Sequence, residues 1–161
     1  MNKWDKRGLL QAKFAASFSK DPSTQVGAAL FRKDGKKLSS IGYNGFSPGV
    51  DDGMINNKLI KYNSIIHAEV NAVLNTKDPD LSGYSLYVWG LACCGPCMAV
   101  VLSKGITKVV CLQTKYRADW SDSLQTADIQ AQQVGIDYQV YEPNQIDSLL
   151  LNTDFPNFQD D

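Results

Sequence analysis

Cys93, Cys94 and Cys97, three of the four cysteines in this 161-residue chain, fall within five positions in the stretch GLACCGPCMAV. The gap between Cys94 and Cys97 suits a metal pair or a redox pair equally, and with Cys93 adjacent, spacing alone does not say which thiols do chemistry. His67, the only histidine, supplies a candidate partner. One imidazole and two thiolates form a three-ligand zinc set that leaves a fourth tetrahedral position for water, as catalytic sites require, whereas a closed structural site needs a fourth protein ligand. Both groups stand at predicted helix starts, where the positive end of the macrodipole favours thiolate over thiol. Glu69, two residues past the histidine, could reach a water at the open position without itself ligating. A carboxylate there can take the proton of a water whose pKa zinc has lowered toward about 7 and return it to a leaving nitrogen. That is deaminase chemistry.

Each component also has a plainer reading. A lone histidine is commonly a hydrogen-bonded core or surface residue, and a lone Cys-x-x-Cys is commonly a redox pair or half a zinc ribbon. A redox pair leaves His-Ala-Glu unexplained. A zinc ribbon requires a second ligand pair, and only Cys111 is left to supply it.

The elements that must position these residues follow from pattern. Leu9, Leu10, Phe14, Ala15 and Phe18 recur at helical spacing, which predicts a helix over 4–19, stopped by KDPST. VGAALF and KLSSIGYNG flank RKDGK and read as a hairpin with an Asp-Gly corner. FSPGVDDG is a loop by composition. SIIHAEVNAVLN reads as a helix of about three turns starting near Ser64, by the capping preference of serine. YSLYVW, TKVVCL and DYQVYE read as strands. They are separated by CMAVVLSKG, a helix with Pro96 in its first turn and Gly105 past its end, and by the helical SDSLQTADIQAQQVG. The order helix, hairpin, helix, strand, helix, strand, helix, strand implies a partly parallel sheet covered on both faces, an α/β fold in one domain over 1–161, with about 145–161 as a C-terminal tail whose last stretch, NTDFPNFQDD, reads as loosely ordered.

Composition narrows the partners. Sixteen Lys and Arg against 17 Asp and Glu give a net charge of −1 and leave no basic excess for a nucleic-acid polymer, so a small or mononucleotide substrate fits better. The N-terminal residues lack a signal-peptide pattern, and no apolar run reaches membrane-spanning length. A cytoplasmic, non-membrane protein is expected, and in a reducing compartment clustered cysteines more often bind metal or react than form disulfides.

Over about residues 8–142 the sequence resembles the deoxycytidylate (dCMP) deaminases of the cytidine deaminase superfamily. The blocks that carry the resemblance are SKDPSTQVGAAL, GYNGFSPGVDD, KYNSIIHAEVNAVLN and LYVWGLACCGPCMAVVLSKGITKVV. A His-x-Glu with a downstream Pro-Cys-x-x-Cys is the signature of zinc nucleobase deaminases. The resemblance implies a three-layer α/β/α sandwich with a five-stranded mixed sheet, one catalytic Zn²⁺ on His67, Cys94 and Cys97, and Glu69 as general acid and base. It implies dCMP as substrate and dUMP, for thymidylate synthesis, as product. Asn44 matches the asparagine that meets the sugar, and the backbone of Ala68 matches a contact to the base. Tyr116 and Arg117, in KYRADW, match a pair that closes over the substrate phosphate; Lys115 is a weaker phosphate candidate. Arg117 offers forked, permanently charged donors, though a solvated loop arginine is an equal alternative. Phe46 could flank the pyrimidine or merely pack. Gly42 and Gly45 allow φ > 0 or close ligand approach, or serve turn geometry alone. The resemblance further implies activation by dCTP and inhibition by dTTP, with Mg²⁺ accompanying the triphosphate, at a second site around Gly42, Tyr43, Asn44, Gly45 and Asp52. It also implies a homo-oligomer, commonly a hexamer.

The sequence departs from the family pattern in places. Relatives usually carry proline where Cys93 stands, and CMA replaces the more usual CAK after the second cysteine. Because Cys93 could compete for zinc, replacing it with Ser or Pro is expected to retain metal. The segment between GYNG and HAE contains no Cys or His, so no additional structural zinc is expected there. Two alternatives stay open: deamination of another small cytosine or purine nucleotide or base on the same zinc, and a catalytically silent zinc- or nucleotide-binding module.

Overall fold

In the computed structural model, which describes residues 1–115 and 117–155, helix α1 (Lys3–Ala16) opens the chain, capped by Asn2, whose side chain accepts from the backbone N–H groups of Trp4 and Asp5. Strands β1 (Gly27–Phe31) and β2 (Leu38–Tyr43) form the expected hairpin; its corner is held by Asp34, whose carboxylate accepts from the N–H groups of Lys36 and Lys37. Helices α2 (Lys58–Ser64) and α3 (Ala68–Asn75) come next, followed by β3 (Ser85–Gly90), α4 (Gly95–Ser103), β4 (Lys108–Gln113), α5 (Ser121–Val134), β5 (Asp137–Tyr141) and α6 (Ser148–Asn152).

The five strands lie in the order β2-β1-β3-β4-β5. β1 runs antiparallel to both β2 and β3, whereas β3, β4 and β5 are parallel, so the sheet is mixed. Side chains alternate across it. Ala28, Leu30, Leu86, Val88, Val109 and Cys111 join the core with α3, α4 and α5; Ala29, Phe31, Tyr87, Trp89, Val110 and Leu112 join the core under α1 and α6. The central strands are buried on both faces, as strands between two helical layers must be, and the result is a three-layer α/β/α sandwich.

Two parts of the sequence pattern come out differently. The helix expected to start near Ser64 is two helices: Ser64 ends α2, and α3 begins only at Ala68, with His67 as its N-cap. The break is made by Ile65 and Ile66. Ile65 is extended, and Ile66 exchanges backbone hydrogen bonds with Gly45 at 2.8 and 3.1 Å, which pulls this β-branched pair into a bridge rather than a helical turn. The C-terminal tail also carries a helix that the pattern did not show. Asp147 caps α6 through the N–H of Leu149, Leu150 is buried in the second core, and Lys13 Nζ donates to the carbonyl of Leu151 at 2.6 Å. Among the described residues no helix is long and apolar enough to cross a membrane.

Candidate active site

The end of β2, the start of β1 and the end of β3 coincide in space, because Gly27 pairs with both Tyr43 and Trp89. The chain leaves β3 through Gly90 at φ 108, where a side chain would strike the carbonyl of Gln25, and reaches Cys94, the N-cap of α4. The Gly45–Ile66 bridge delivers His67 to the same place. Two helix N-termini therefore meet at the carboxyl end of β3, the usual position of ligand sites in open α/β sheets.

There His67 Nδ1 lies 3.4 Å from Cys94 Sγ and 3.3 Å from Cys97 Sγ, and the three ligand atoms all fall within 4.8 Å of one another. With zinc-to-sulfur bonds near ~2.3 Å and zinc-to-nitrogen bonds near ~2.0 Å, such a nitrogen–sulfur edge suits a tetrahedral ion, so the donor set fits Zn²⁺ in both chemistry and spacing. Cys93, fully buried, is not part of that group; its thiol points to the carbonyl of Cys94 at 3.7 Å. Glu69 is 3% exposed, in the first turn of α3, and lines the same cavity as His67 and Cys94.

The electrostatics follow from burial and hydrogen bonding. Burial, with the Cys94 charge adding, pushes the Glu69 carboxyl above the usual carboxylate range, while His67 opposes. His67 is raised first by its hydrogen bond to Cys94. Cys94 and Cys97 are shifted in opposite directions by the hydrogen bond between them. The Cys97 thiol stabilises Cys94 as thiolate and is itself pushed up by holding its proton. A dication held by the three atoms would take the place of the proton on Cys97, since a ligand must be deprotonated to bind.

The other sequence candidates take different places. Asn44 lines the cavity, but its side chain is largely committed to backbone: Oδ1 accepts from Val26 N–H at 2.8 Å and Nδ2 donates to the Thr24 carbonyl at 2.9 Å. Ala68 and Arg117 also line the cavity; Phe46 does not. Arg117 forms two hydrogen bonds to Asp119, at 3.2 and 2.7 Å. Tyr116 lies outside the described residues. Lys115 donates to the Ser23 carbonyl instead of facing the cavity. Gly42 and Gly45 have no positive φ; a side chain at Gly42 would collide with the α3 backbone at Ala68 and Ala72, so that glycine seats α3 on β2. Tyr43 is 41% exposed beside Phe18, and Asp52 pairs with Lys20 at 2.8 Å.

Sequence reasoning missed the opposite wall. Asp21, 2% exposed, accepts from Lys61 Nζ at 2.6 and 2.8 Å and from Ser23 and Thr24; both Asp21 and Lys61 line the cavity. Beside the His67 imidazole, Tyr62 and Trp120 also line it. Lys61, Tyr62 and Trp120 all stood within conspicuous blocks, KYNSIIHAE and KYRADW, but no spacing rule connects them to the zinc set.

Residues 2–113 match the family described as the cytidine and deoxycytidylate deaminase zinc-binding region. The chain belongs to this family of zinc-dependent deaminases. It is 36% identical over 140 residues to an uncharacterized deaminase of Aliivibrio fischeri, covering 85% of this chain and 92% of that one. It is 33% identical over 147 residues to the deoxycytidylate deaminase of Homo sapiens, covering 87% and 80%. Among solved structures, the dCMP deaminase of cyanophage S-TIM5, in complex with dCMP and dUMP, superposes with a TM-score of 0.64 at 21% identity, covering 88% of this chain and 99% of that one. The Aspergillus oryzae Rib2 deaminase superposes with a TM-score of 0.54 at 17% identity, covering 87% and 85%. The five-stranded mixed sheet between helices is thus the fold of this deaminase family, and its hydrolytic deaminase chemistry agrees with the His-Cys-Cys group and the buried glutamate.

Proposed function

We propose that this chain hydrolyses dCMP to dUMP and ammonia. The observation that carries this is that the His67–Cys94–Cys97 group and buried Glu69 meet at one cavity, lined by His67, Glu69 and Cys94 together with the cations Lys61 and Arg117, an arrangement suited to a base beside the metal group and an anionic group beside the cations. Relatives bearing the deoxycytidylate deaminase name, and a fold neighbour bound to dCMP and dUMP, support the choice of nucleotide.

Zn²⁺ held by His67, Cys94 and Cys97 would supply Lewis acidity, lowering the pKa of water toward about 7. The remaining work falls to the chain. Glu69, kept protonatable by its burial, takes one proton from the attacking water and delivers it to N3 of cytosine as oxygen bonds to C4; it then takes the second proton from that oxygen and passes it to the amino nitrogen, so that the C4–N bond breaks, C4=O forms and ammonia leaves. The α3 N-terminus presents the Ala68 backbone to the base. Asn44, braced by Val26 and Thr24, retains one lone pair on Oδ1 for a sugar hydroxyl. Arg117 and Lys61 supply charge for the phosphate, and dUMP then serves thymidylate synthesis.

Ammonia release from dCMP, CMP, dCTP, deoxycytidine and guanine tests this directly: dCMP should give the highest kcat/KM, and a higher value for any other substrate would overturn the substrate assignment. The proposal extends to a cytoplasmic homo-oligomer, a hexamer by family habit, activated by dCTP with Mg²⁺ and inhibited by dTTP. Shifted, sigmoidal dCMP curves on adding each triphosphate would support that regulation, and unshifted hyperbolic curves would remove it.

A further inference from the structure

The three candidate zinc ligands come from two different helix starts, which share the larger core through Ala68, Cys94 and Cys97 but leave the orientation of the His67 ring itself unset. His67 is delivered by an extended approach to α3, whereas Cys94 and Cys97 belong to α4. The first turn of α5 touches both. Ser123 Oγ accepts the N–H of Gly95, at the start of α4, at 3.1 Å. Trp120, the N-cap of the same helix, lays its indole against the His67 imidazole with ring centroids 5.4 Å apart and planes inclined by 18°. That separation is within stacking contact, so no third ring fits between the two. On the indole, the Arg117 guanidinium sits 5.0 Å from the ring centroid, anchored by its two hydrogen bonds to Asp119.

A metal-ligating histidine is ordinarily oriented by a hydrogen bond from its distal ring nitrogen to a neighbouring acceptor. His67 turns Nδ1 to the two sulfurs, and Nε2 makes no hydrogen bond to a protein group among the described residues. We propose that Trp120 takes over that duty: it is a positioning residue that fixes the plane of the His67 ring by stacking and, through the Ser123–Gly95 bond, refers that plane to the helix bearing both cysteines. It acts on the ligand and not on the reacting atoms. Its effect is to hold the open three-ligand set at the spacing of a tetrahedral ion before the ion arrives.

This inference rests on His67, Cys94 and Cys97 being the zinc ligands. The test is zinc affinity, measured by chelator competition on the purified protein, for wild type, Trp120→Phe and Trp120→Ala, with thermal unfolding of the metal-free forms alongside. The expected result is that Trp120→Ala binds zinc about tenfold more weakly, the usual scale for losing a partner that orients a ligand. Trp120→Phe, which keeps a stacking face, should stay near wild type, and because Trp120 is only partly buried against the larger core, metal-free melting of Trp120→Ala should fall by less than its loss of zinc affinity. Equal zinc affinity in Trp120→Ala, equal loss in Trp120→Phe, or a fall in affinity matched by a fall in metal-free melting would each overturn the positioning role. A wild-type chain that takes up no zinc overturns the metal assignment and this one with it; a zinc-binding wild type beside an equally tight Trp120→Ala overturns this one alone.

Discussion

On one side of the cavity, Ala68, Cys94 and Cys97 sit in the larger core, their helices packed on a sheet whose central strands are buried on both faces. On the other side, α2 buries no residue, exposes Leu59 and Tyr62, and reaches the body of the protein through Lys61 on Asp21 and through the Gly45–Ile66 bridge. The inner wall is held by dispersion and close packing, which tolerate little displacement. The outer wall is held by a few directional polar contacts near the surface, which can exchange partners with a ligand. Chemistry that needs atoms placed to within a fraction of an ångström is assigned to the first, and recognition of a charged group that must enter and leave is assigned to the second.

The largest effects should come from the inner wall. Glu69→Ala is expected to retain one equivalent of zinc while losing turnover a hundredfold or more, the scale of general acid–base catalysis. His67→Ala and Cys94→Ala should lose the metal itself. Metal analysis beside the dCMP assay separates the two failures. A Glu69→Ala enzyme that still turns over substrate would remove the assigned proton carrier, and a fully zinc-loaded His67→Ala would remove that ligand.

The same division explains what the sequence made legible. His67, Glu69, Cys94 and Cys97, the proposed ligands and proton carrier, announce themselves because metal and proton chemistry demand particular residue types at short local spacings, and the strands they hang from carry unambiguous apolar runs. Asp21 and Lys61 meet from positions 40 residues apart through a loop and a seven-residue helix, KLIKYNS, none of whose apolar residues is buried, so no periodicity predicts their pairing. The merging of α2 and α3 into one expected helix has the same origin. Ile65 and Ile66 look helix-compatible in a window, and only the distant Gly45 converts them to a bridge. Part of the expected tail proved helical because Leu150 finds its apolar partners on α1 and β4, again far away in sequence.

The outer wall can be probed through pH. Burial alone would raise the Asp21 carboxyl, but donors from Lys61, Ser23 and Thr24 outweigh it and hold it below its ordinary value of 3.8. A depressed carboxylate contributes stability that is fully present above its unfolded pKa and is lost as pH falls through the folded one. Asp21→Asn should therefore lower stability by about 2 kcal/mol at pH 7, less than for a fully buried pair because Lys61 keeps some solvent contact, and should flatten the fall in stability below about pH 4. Urea unfolding across that range checks both, and an unchanged acid limb would show that the pair is not what holds the wall.

A smaller and more selective effect is expected from Arg117→Ala. If the outer wall recognises charge, KM for dCMP should rise about tenfold, the scale of one charge-assisted contact near the surface, while deoxycytidine turnover stays as it was. Loss of kcat with both substrates alike would instead move Arg117 to the inner wall's business.

The smallest effect returns to the crowded cysteines. Cys93 neighbours Cys94 in sequence, yet its sulfur belongs to the packed layer behind the ligands. It is fully buried, directed at the Cys94 carbonyl at 3.7 Å, and its own carbonyl accepts from Tyr138 Oη at 3.4 Å. The thiol stays outside the His67–Cys94–Cys97 group, and it also hydrogen-bonds the Glu69 carboxyl, a contact serine can keep. Serine at this position can give its hydroxyl proton to the same carbonyl, so Cys93→Ser should cost about 1 kcal/mol of stability through poorer packing while leaving zinc content and kcat near wild type. Zinc lost from Cys93→Ser would place the third ligand at the wrong cysteine, and with it the boundary between the wall that does chemistry and the layer that merely supports it.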